Sequence, residues 1–192
     1  SVLLKAGRRN DALEALERAE KAGEPFPENL YRKGLVLEKL GKADAALNCL
    51  EKAIALAPKY VEARCARANI LEGLGRYEEG LNEIEKALAV NEKLFEAWAK
   101  KGSIYARLAK YEESVLAFRI ASELNPKAAE PMLNAGQILH SLGRQEEALK
   151  CFEKVIGIDP DQVVALFWKG RVLVSLGRKA EAKQVLEKAA AL

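Results

Sequence analysis

The side chains able to do chemistry are few, and their spacing does not favour it. The only histidine is His140, followed by Ser141. A Ser–His relay needs a carboxylate to orient the imidazole and donors for an oxyanion. Neighbouring residues on a helix point in different directions, so the pair reads as a surface histidine beside a serine. Glutamates come in pairs at Glu78-Glu79, Glu112-Glu113 and Glu146-Glu147, each just after a turn. The helix dipole stabilises carboxylates in a first turn, so a recurring pair there reads as structure rather than as an acid and a base. The glycines stand singly, with no phosphate-cradling loop. Cys49, Cys65 and Cys151 form no CxxC and read as reduced thiols of a cytoplasmic protein. These observations predict a chain that is not an enzyme and needs no metal or cofactor.

What the chain contains is repetition. Leu40-Gly41-Lys42, Leu74-Gly75-Arg76, Leu108-Ala109-Lys110, Leu142-Gly143-Arg144 and Leu176-Gly177-Arg178 follow one another at intervals of 34 residues. Ala6-Gly7-Arg8 extends the series backwards. Small residues recur in one phase after each turn, at Ala12, Ala46, Gly80, Ser114, Ala148 and Ala182. A fixed period of this length marks stacked supersecondary units. In 95–128, Trp98, Lys101, Gly102 and Tyr105 fall at i, i+3, i+4 and i+7, one face of a helix. Ser114, Phe118 and Ala121 form the facing stripe of a second helix, with Gly102 and Ser114 allowing close approach and Phe118 filling the space. Asn125-Pro126, Ala57-Pro58 and Asp159-Pro160 stop second helices. The reading is a single array: a partial unit at 1–26, full units at 27–60, 61–94, 95–128 and 129–162, and a slightly short one at 163–192. Gly23-Glu24-Pro25-Phe26-Pro27 breaks the helix pattern before the first full unit. Cys49 and Cys151 stand three periods apart, far beyond the roughly 7 Å between Cα atoms that a disulfide spans.

Charge narrows the partners. Lys plus Arg total 31 against 28 Asp plus Glu, a net +3, and the signs mostly alternate, as in Glu78-Glu79, Glu83, Glu85 and Lys86. That is the habit of solvated helix faces; a nucleic-acid binder shows a concentrated basic face. No apolar run approaches the roughly 20 residues of a membrane span. Nucleic acid and membrane are therefore excluded as expected partners.

The pattern resembles the tetratricopeptide repeat family along essentially the whole chain. Its signature positions are filled by Trp98, Gly102, Tyr105, Ser114, Phe118, Ala121 and Pro126, then by Gly136, Leu139, Ala148, Phe152 and Pro160, and by Gly34, Ala46, Ala53 and Pro58. Ala68 for Gly, Gly80 for Ala and Val155 for Ala are mild departures. The resemblance implies an all-α, right-handed α-solenoid of antiparallel helix-turn-helix units, whose inner surface is lined by first helices and binds peptides or partner segments. By phase that surface carries Arg32, Asn69, Lys100, Ser103, Arg107, Asn134, Gln137, His140, Val164, Phe167, Trp168 and Arg171, with Tyr31, Leu35, Cys65 and Leu133 among them. Co-chaperone members of the family clamp a C-terminal carboxylate with Lys and Asn, then Asn, then Lys and Arg, on successive units. Here only Asn134 fits the middle place; Ala99 and Ser103 before it, and Val164 and Trp168 after it, break the clamp. Glu28, Glu62, Glu96 and Glu130 recur at the starts of first helices and read as dipole partners, an acidic rail along the groove being the alternative.

The expected function is a protein-interaction scaffold holding a peptide or partner segment. The competing readings are a self-assembling structural module, associating through its C-terminal repeat, and a regulatory or docking segment of a larger enzyme. Val163-Val164-Ala165-Leu166-Phe167-Trp168 makes one helix apolar almost all round, as a buried helix or a contact surface is. With Leu166, Gly170 and Leu173 in the core, Val164, Phe167, Trp168 and Arg171 are expected to face the groove. At the ends, Leu3 and Leu4 should be partly uncovered, and Lys183 stands where earlier units have Leu47, Leu81, Val115 and Leu149. This predicts an array that ends near Leu192 and continues, or has been cut, upstream of Ser1; a start at Ser1 rather than Met fits a trimmed fragment.

Overall fold

The turns at the 34-residue interval are helix stops built on left-handed backbone. Gly41, Gly75, Gly143 and Gly177 have φ of 75°, 75°, 76° and 74°, and Ala109 has 56°. The following N–H reaches back to the last helical turn each time: Lys42 to Leu37 O, Arg76 to Leu71 O, Lys110 to Tyr105 O, Arg144 to Leu139 O and Arg178 to Leu173 O, all at 2.9 Å. These bonds satisfy carbonyls that a helix end leaves open. Glycine adopts positive φ freely, whereas alanine's Cβ crowds the carbonyl there. Ala109→Gly is therefore expected to stabilise the protein by about 0.5–1 kcal/mol, the relief being partly offset by glycine's freedom in the unfolded chain. Denaturant melts check it; a loss of stability of that size would show that Ala109 is unstrained.

The computed structural model describes residues 8, 10–16, 18 and 26–192. Leu3, Leu4, the Gly7 turn and Gly23 to Pro25 lie outside the described residues. The chain forms two compact units that divide between Glu92 and Lys93. The first holds α1 (Pro27–Lys39), α2 (Ala43–Leu56), α3 (Val61–Gly73) and α4 (Tyr77–Val90). The second holds α5 (Phe95–Arg107), α6 (Tyr111–Leu124), α7 (Glu130–Ser141), α8 (Gln145–Ile158), α9 (Val163–Ser175) and α10 (Lys179–Ala191). Residues 10–16 are also helical, and among the described residues there is no strand.

Each hairpin closes around a small residue. A Cβ added at Gly102 would lie 2.7 Å from the Phe118 ring, at Gly136 2.8 Å from Phe152, at Gly34 2.9 Å from Leu50, and at Gly170 2.5 Å from Leu186. The large residue always stands sixteen positions after the glycine. Ser114 tightens its hairpin further, its Oγ donating to Gly102 O at 2.7 Å. In α3/α4 the small residues exchange places: Ala68 takes the glycine position opposite Ile84, and Gly80 stands where Ser114 does. Leu30, Leu50, Ile70 and Leu71 lead the apolar cluster of the first unit. Phe118, Leu139, Phe152, Val155 and Leu173 lead that of the second.

Two features of the charges differ from the sequence reading. Glu83 is not on a solvated face: it is 3 % exposed. It accepts from Arg64 Nη1 and Arg67 Nη1, each at 2.9 Å. Its phase is that of Cys49, Ala117 and Cys151, all at least partly buried, and Arg64 stands where other first helices have Leu30, Trp98, Met132 and Leu166. The glutamates after the turns are indeed first-turn residues, and at three of the turns an arginine also claims a first-turn glutamate. Arg76 pairs with Glu79, Arg144 with Glu147 and Arg178 with Glu181 at i, i+3. Arg144 also reaches Glu112 on the preceding hairpin at 2.6 Å. Hydrogen bonds from Arg144 and Arg119 hold the Glu147 carboxyl down to about 2.

Candidate functional site

The first helices α5, α7 and α9 are neighbours in the second unit, which sets their outward side chains in one surface. Between α5 and α7 lies a cleft of about 290 Å³. Phe95, Phe118 and Pro131 supply its apolar lining, Lys100, Ser103 and Asn134 its hydrogen-bonding groups, and Glu96 and Glu130 its carboxylates. Lys100, Ser103 and Asn134 are half-buried, which limits their competition from water. Gln137, nearly one turn beyond Asn134, is also half-buried, and Arg107 is exposed at the end of α5. The four recurring glutamates each sit in the first turn of a first helix; α9 has Val164 at that phase instead.

His140 sits further along α7. Its Nδ1 lies 2.6 Å from Gln145 Oε1. An amide oxygen only accepts, so Nδ1 is the donor in this contact. Ser141 Oγ donates to its own helix at Ile138 O, 2.7 Å away, so the pair forms no relay. The His140 ring packs edge-on to Trp168 of α9 at 5.6 Å. Trp168 is half-buried, with Phe152 stacked against it at 6.3 Å and the Arg171 guanidinium over its ring at 4.7 Å. Arg171 lies 5.9 Å from the Phe167 ring as well.

The apolar stripe of α9 divides at this point. Trp168 turns back to α7 and α8, while Val164 and Phe167 are each 46 % exposed. Both line a second, apolar cleft of about 320 Å³ with Val163 and with Leu186, Ala189 and Ala190 of α10. Leu166, Gly170 and Leu173 are buried. Sequence reasoning missed the α10 side of this cleft and Val174, which is exposed one turn from Arg171. Period alone could have found the α10 side, since Leu186, Ala189 and Ala190 repeat the phase of Phe118, Ala121 and Ser122.

Arg32 on α1 and Asn69 on α3 belong to the first unit and are exposed. Beside them Tyr31 and Tyr60 pack at 5.2 Å. Burial, then Glu62 and Cys65, push the Tyr31 phenol above its ordinary value. Cys49 and Cys65 are half-buried and Cys151 is buried, and none of the three is in a disulfide; burial pushes the Cys151 thiol up. Among the described residues no cluster of His, Cys, Asp and Glu could hold a metal ion. No described helix is long and apolar enough to cross a membrane.

Comparison with known proteins agrees with the hairpin geometry. One sequence model of the tetratricopeptide repeat matches residues 95–127, 129–162 and 163–192, and a second matches 31–94. The crystal structure of MamA is similar with a TM-score of 0.78 at 22 % identity, over 82 % of this chain and 92 % of that one. YrrB, described as a TPR protein with an unusual peptide-binding site, gives 0.76 at 22 %, over 92 % and 91 %. MamA from Desulfovibrio magneticus RS-1 gives 0.75 at 23 %, over 83 % and 90 %. A comparison with curated proteins gave no match. At such identities the solved structures speak for the fold, an all-α solenoid of stacked hairpins, and the repeat models speak for the family. The chain belongs to the tetratricopeptide repeat family.

Proposed function

We propose that the chain is a non-enzymatic scaffold that holds an extended peptide or partner segment along the first-helix face of α5, α7 and α9. The observation that carries this reading is the mixture on that face. Half-buried Asn134, Gln137 and Ser103 offer groups for a peptide backbone, and Lys100, Arg107 and Arg171 offer charge. Phe167, with Trp168 behind it, offers an apolar anchor of the kind that dominates interfaces. A segment with a bulky apolar residue near Phe167 and an acidic residue toward Lys100 fits the arrangement. The fold's occurrence in YrrB, described by its peptide-binding site, is consistent with it. Arg32 and Asn69 provide the corresponding face of the first unit. The distributed ion pairs argue for protein rather than nucleic acid as the partner, and the three cysteines, none in a disulfide, suit the reducing cytoplasm expected from the sequence.

The test uses a peptide selected from a displayed library on the protein, with affinity measured by fluorescence anisotropy. Asn134→Ala and Arg171→Ala should each weaken binding about tenfold, the worth of a lost hydrogen bond to a desolvated or charged group, with melting unchanged. Lys150→Ala on α8 should leave it unaltered. Wild-type affinity in both face variants would move the binding site elsewhere.

A further inference from the structure

The cleft between α5 and α7 opens beside a residue that breaks its phase. Ala99 stands where the other first helices carry Tyr31, Cys65, Leu133 and Phe167. Longer side chains at this phase find packing of their own: Leu133 lies against the apolar cluster of the second unit and Tyr31 against that of the first. A methyl group cannot reach as far, and about 290 Å³ stays open next to Ala99. An apolar cavity of about 150 Å³ holds a benzene molecule, so this cleft has room for a substituted ring.

The lining says which ring. Its most buried parts are Phe118, 3 % exposed, and Pro131, with Phe95 half-buried beside them. Apolar and aromatic faces of this kind suit an aromatic ring. Asn134 borders the same space, half-buried, and its amide makes no hydrogen bond to any described residue. A purely apolar occupant would cover that amide and leave it unpaired, which costs the contact with water it gives up. A hydroxyl on the ring would pair with it instead. A carboxylate inside the cleft is disfavoured, because Glu96 and Glu130 border it against the single ammonium of Lys100.

We propose that this cleft receives a tyrosine side chain of the bound segment, with its ring against Phe118 and Pro131 and its hydroxyl on the Asn134 amide. The proposal rests on the reading of the first-helix face as a peptide site and names the residue that the α5–α7 part of that face selects. Ala99 sets the size of the residue accepted and Asn134 its polarity. The acidic residue of the segment then meets Lys100 from the solvent side.

The experiment titrates N-acetyltyrosinamide and N-acetylphenylalaninamide into the whole 192-residue protein, followed by two-dimensional NMR. The pair separates the ring from its hydroxyl. The tyrosine amide should shift the Ala99 and Asn134 signals with a Kd of about 1–10 mM. The phenylalanine amide should bind about five- to tenfold more weakly, the worth of one hydrogen bond to a group that is otherwise covered. Ala99→Leu, which places here the residue that the next unit carries at this phase, should weaken both ligands more than tenfold by filling the space. Asn134→Ala should bring the two ligands to one affinity, and it decides the matter by itself if Ala99→Leu disturbs the fold. Equal affinity of the two amides for the wild type, shifts that fall away from α5 and α7, binding indifferent to Ala99→Leu, or a preference that survives Asn134→Ala each overturn the proposal. Any of these leaves the first-helix face to the peptide test above, which reads Arg171 as well. A selected peptide that keeps wild-type affinity in both the Asn134→Ala and Arg171→Ala proteins overturns the peptide reading, and this proposal with it.

Discussion

Phe152→Ala is expected to destabilise the second unit by about 3–5 kcal/mol, the usual cost of emptying a large aromatic site in a core. Phe152 is fully buried. Its ring lies against the backbone of Gly136, where even a methyl group would meet it at 2.8 Å, and it stacks on Trp168 of the following hairpin. One side chain thus joins α7, α8 and α9, and the surrounding helices cannot collapse into the space without giving up their turn geometry. In a stacked array each hairpin is stabilised through its neighbours, so the loss should spread from α7/α8 to α9/α10 and separate unfolding into stages. Urea melts followed by circular dichroism measure it. A change below about 0.5 kcal/mol, typical of a surface substitution, would mean that Phe152 does not bind the hairpins together.

Glu83→Ala should cost the first unit about 3 kcal/mol, the low end for removing one partner of a buried ion pair. The carboxylate side chain is 4 % exposed, against 12 % for Arg64 and 22 % for Arg67. Its removal leaves two neighbouring guanidiniums of α3 without the carboxylate they share, and Arg67 Nε is already a buried donor without a hydrogen bond. Arg64 also donates to Pro58 O at 2.9 Å, so the network holds the α2–α3 connection as well as the α3/α4 hairpin. The triple change Arg64→Met, Arg67→Met, Glu83→Leu should recover most of the loss, since apolar replacement of a whole buried charge cluster is often neutral or better. Chemical melts of the three proteins decide it; a single variant as stable as wild type would show that water screens the arginines.

The hairpins were legible in the sequence because turn, small residue and aromatic recur in one phase. Gly102, Ser114 and Phe118 identify their contact before any coordinate does, although the hydrogen bond from Ser114 to the Gly102 carbonyl depends on a rotamer that no periodicity specifies. Glu83 was not legible from charge, since Glu83, Glu85 and Lys86 alternate as a solvated face would. Only its phase, shared with Cys49 and Cys151, indicated the interior. The candidate site was legible as a face and no further. Phase put Val164, Phe167, Trp168 and Arg171 on one stripe, but consecutive residues on a helix diverge by about 100°. Trp168 therefore packs toward His140 and Phe152 while Phe167 turns toward α10. The apolar side of α10 went unremarked because Leu186, Ala189 and Ala190 look in isolation like the ordinary buried stripe of a second helix.

The proposed partner segment lies along the first-helix face of the second unit. Backbone amide shift mapping tests it most directly: two-dimensional NMR spectra of the labelled protein, free and with the selected peptide. The largest perturbations should fall on α5, α7 and α9, around Lys100, Asn134, Gln137 and Arg171. Perturbations confined to α6, α8 and α10, with those residues unmoved, would contradict it.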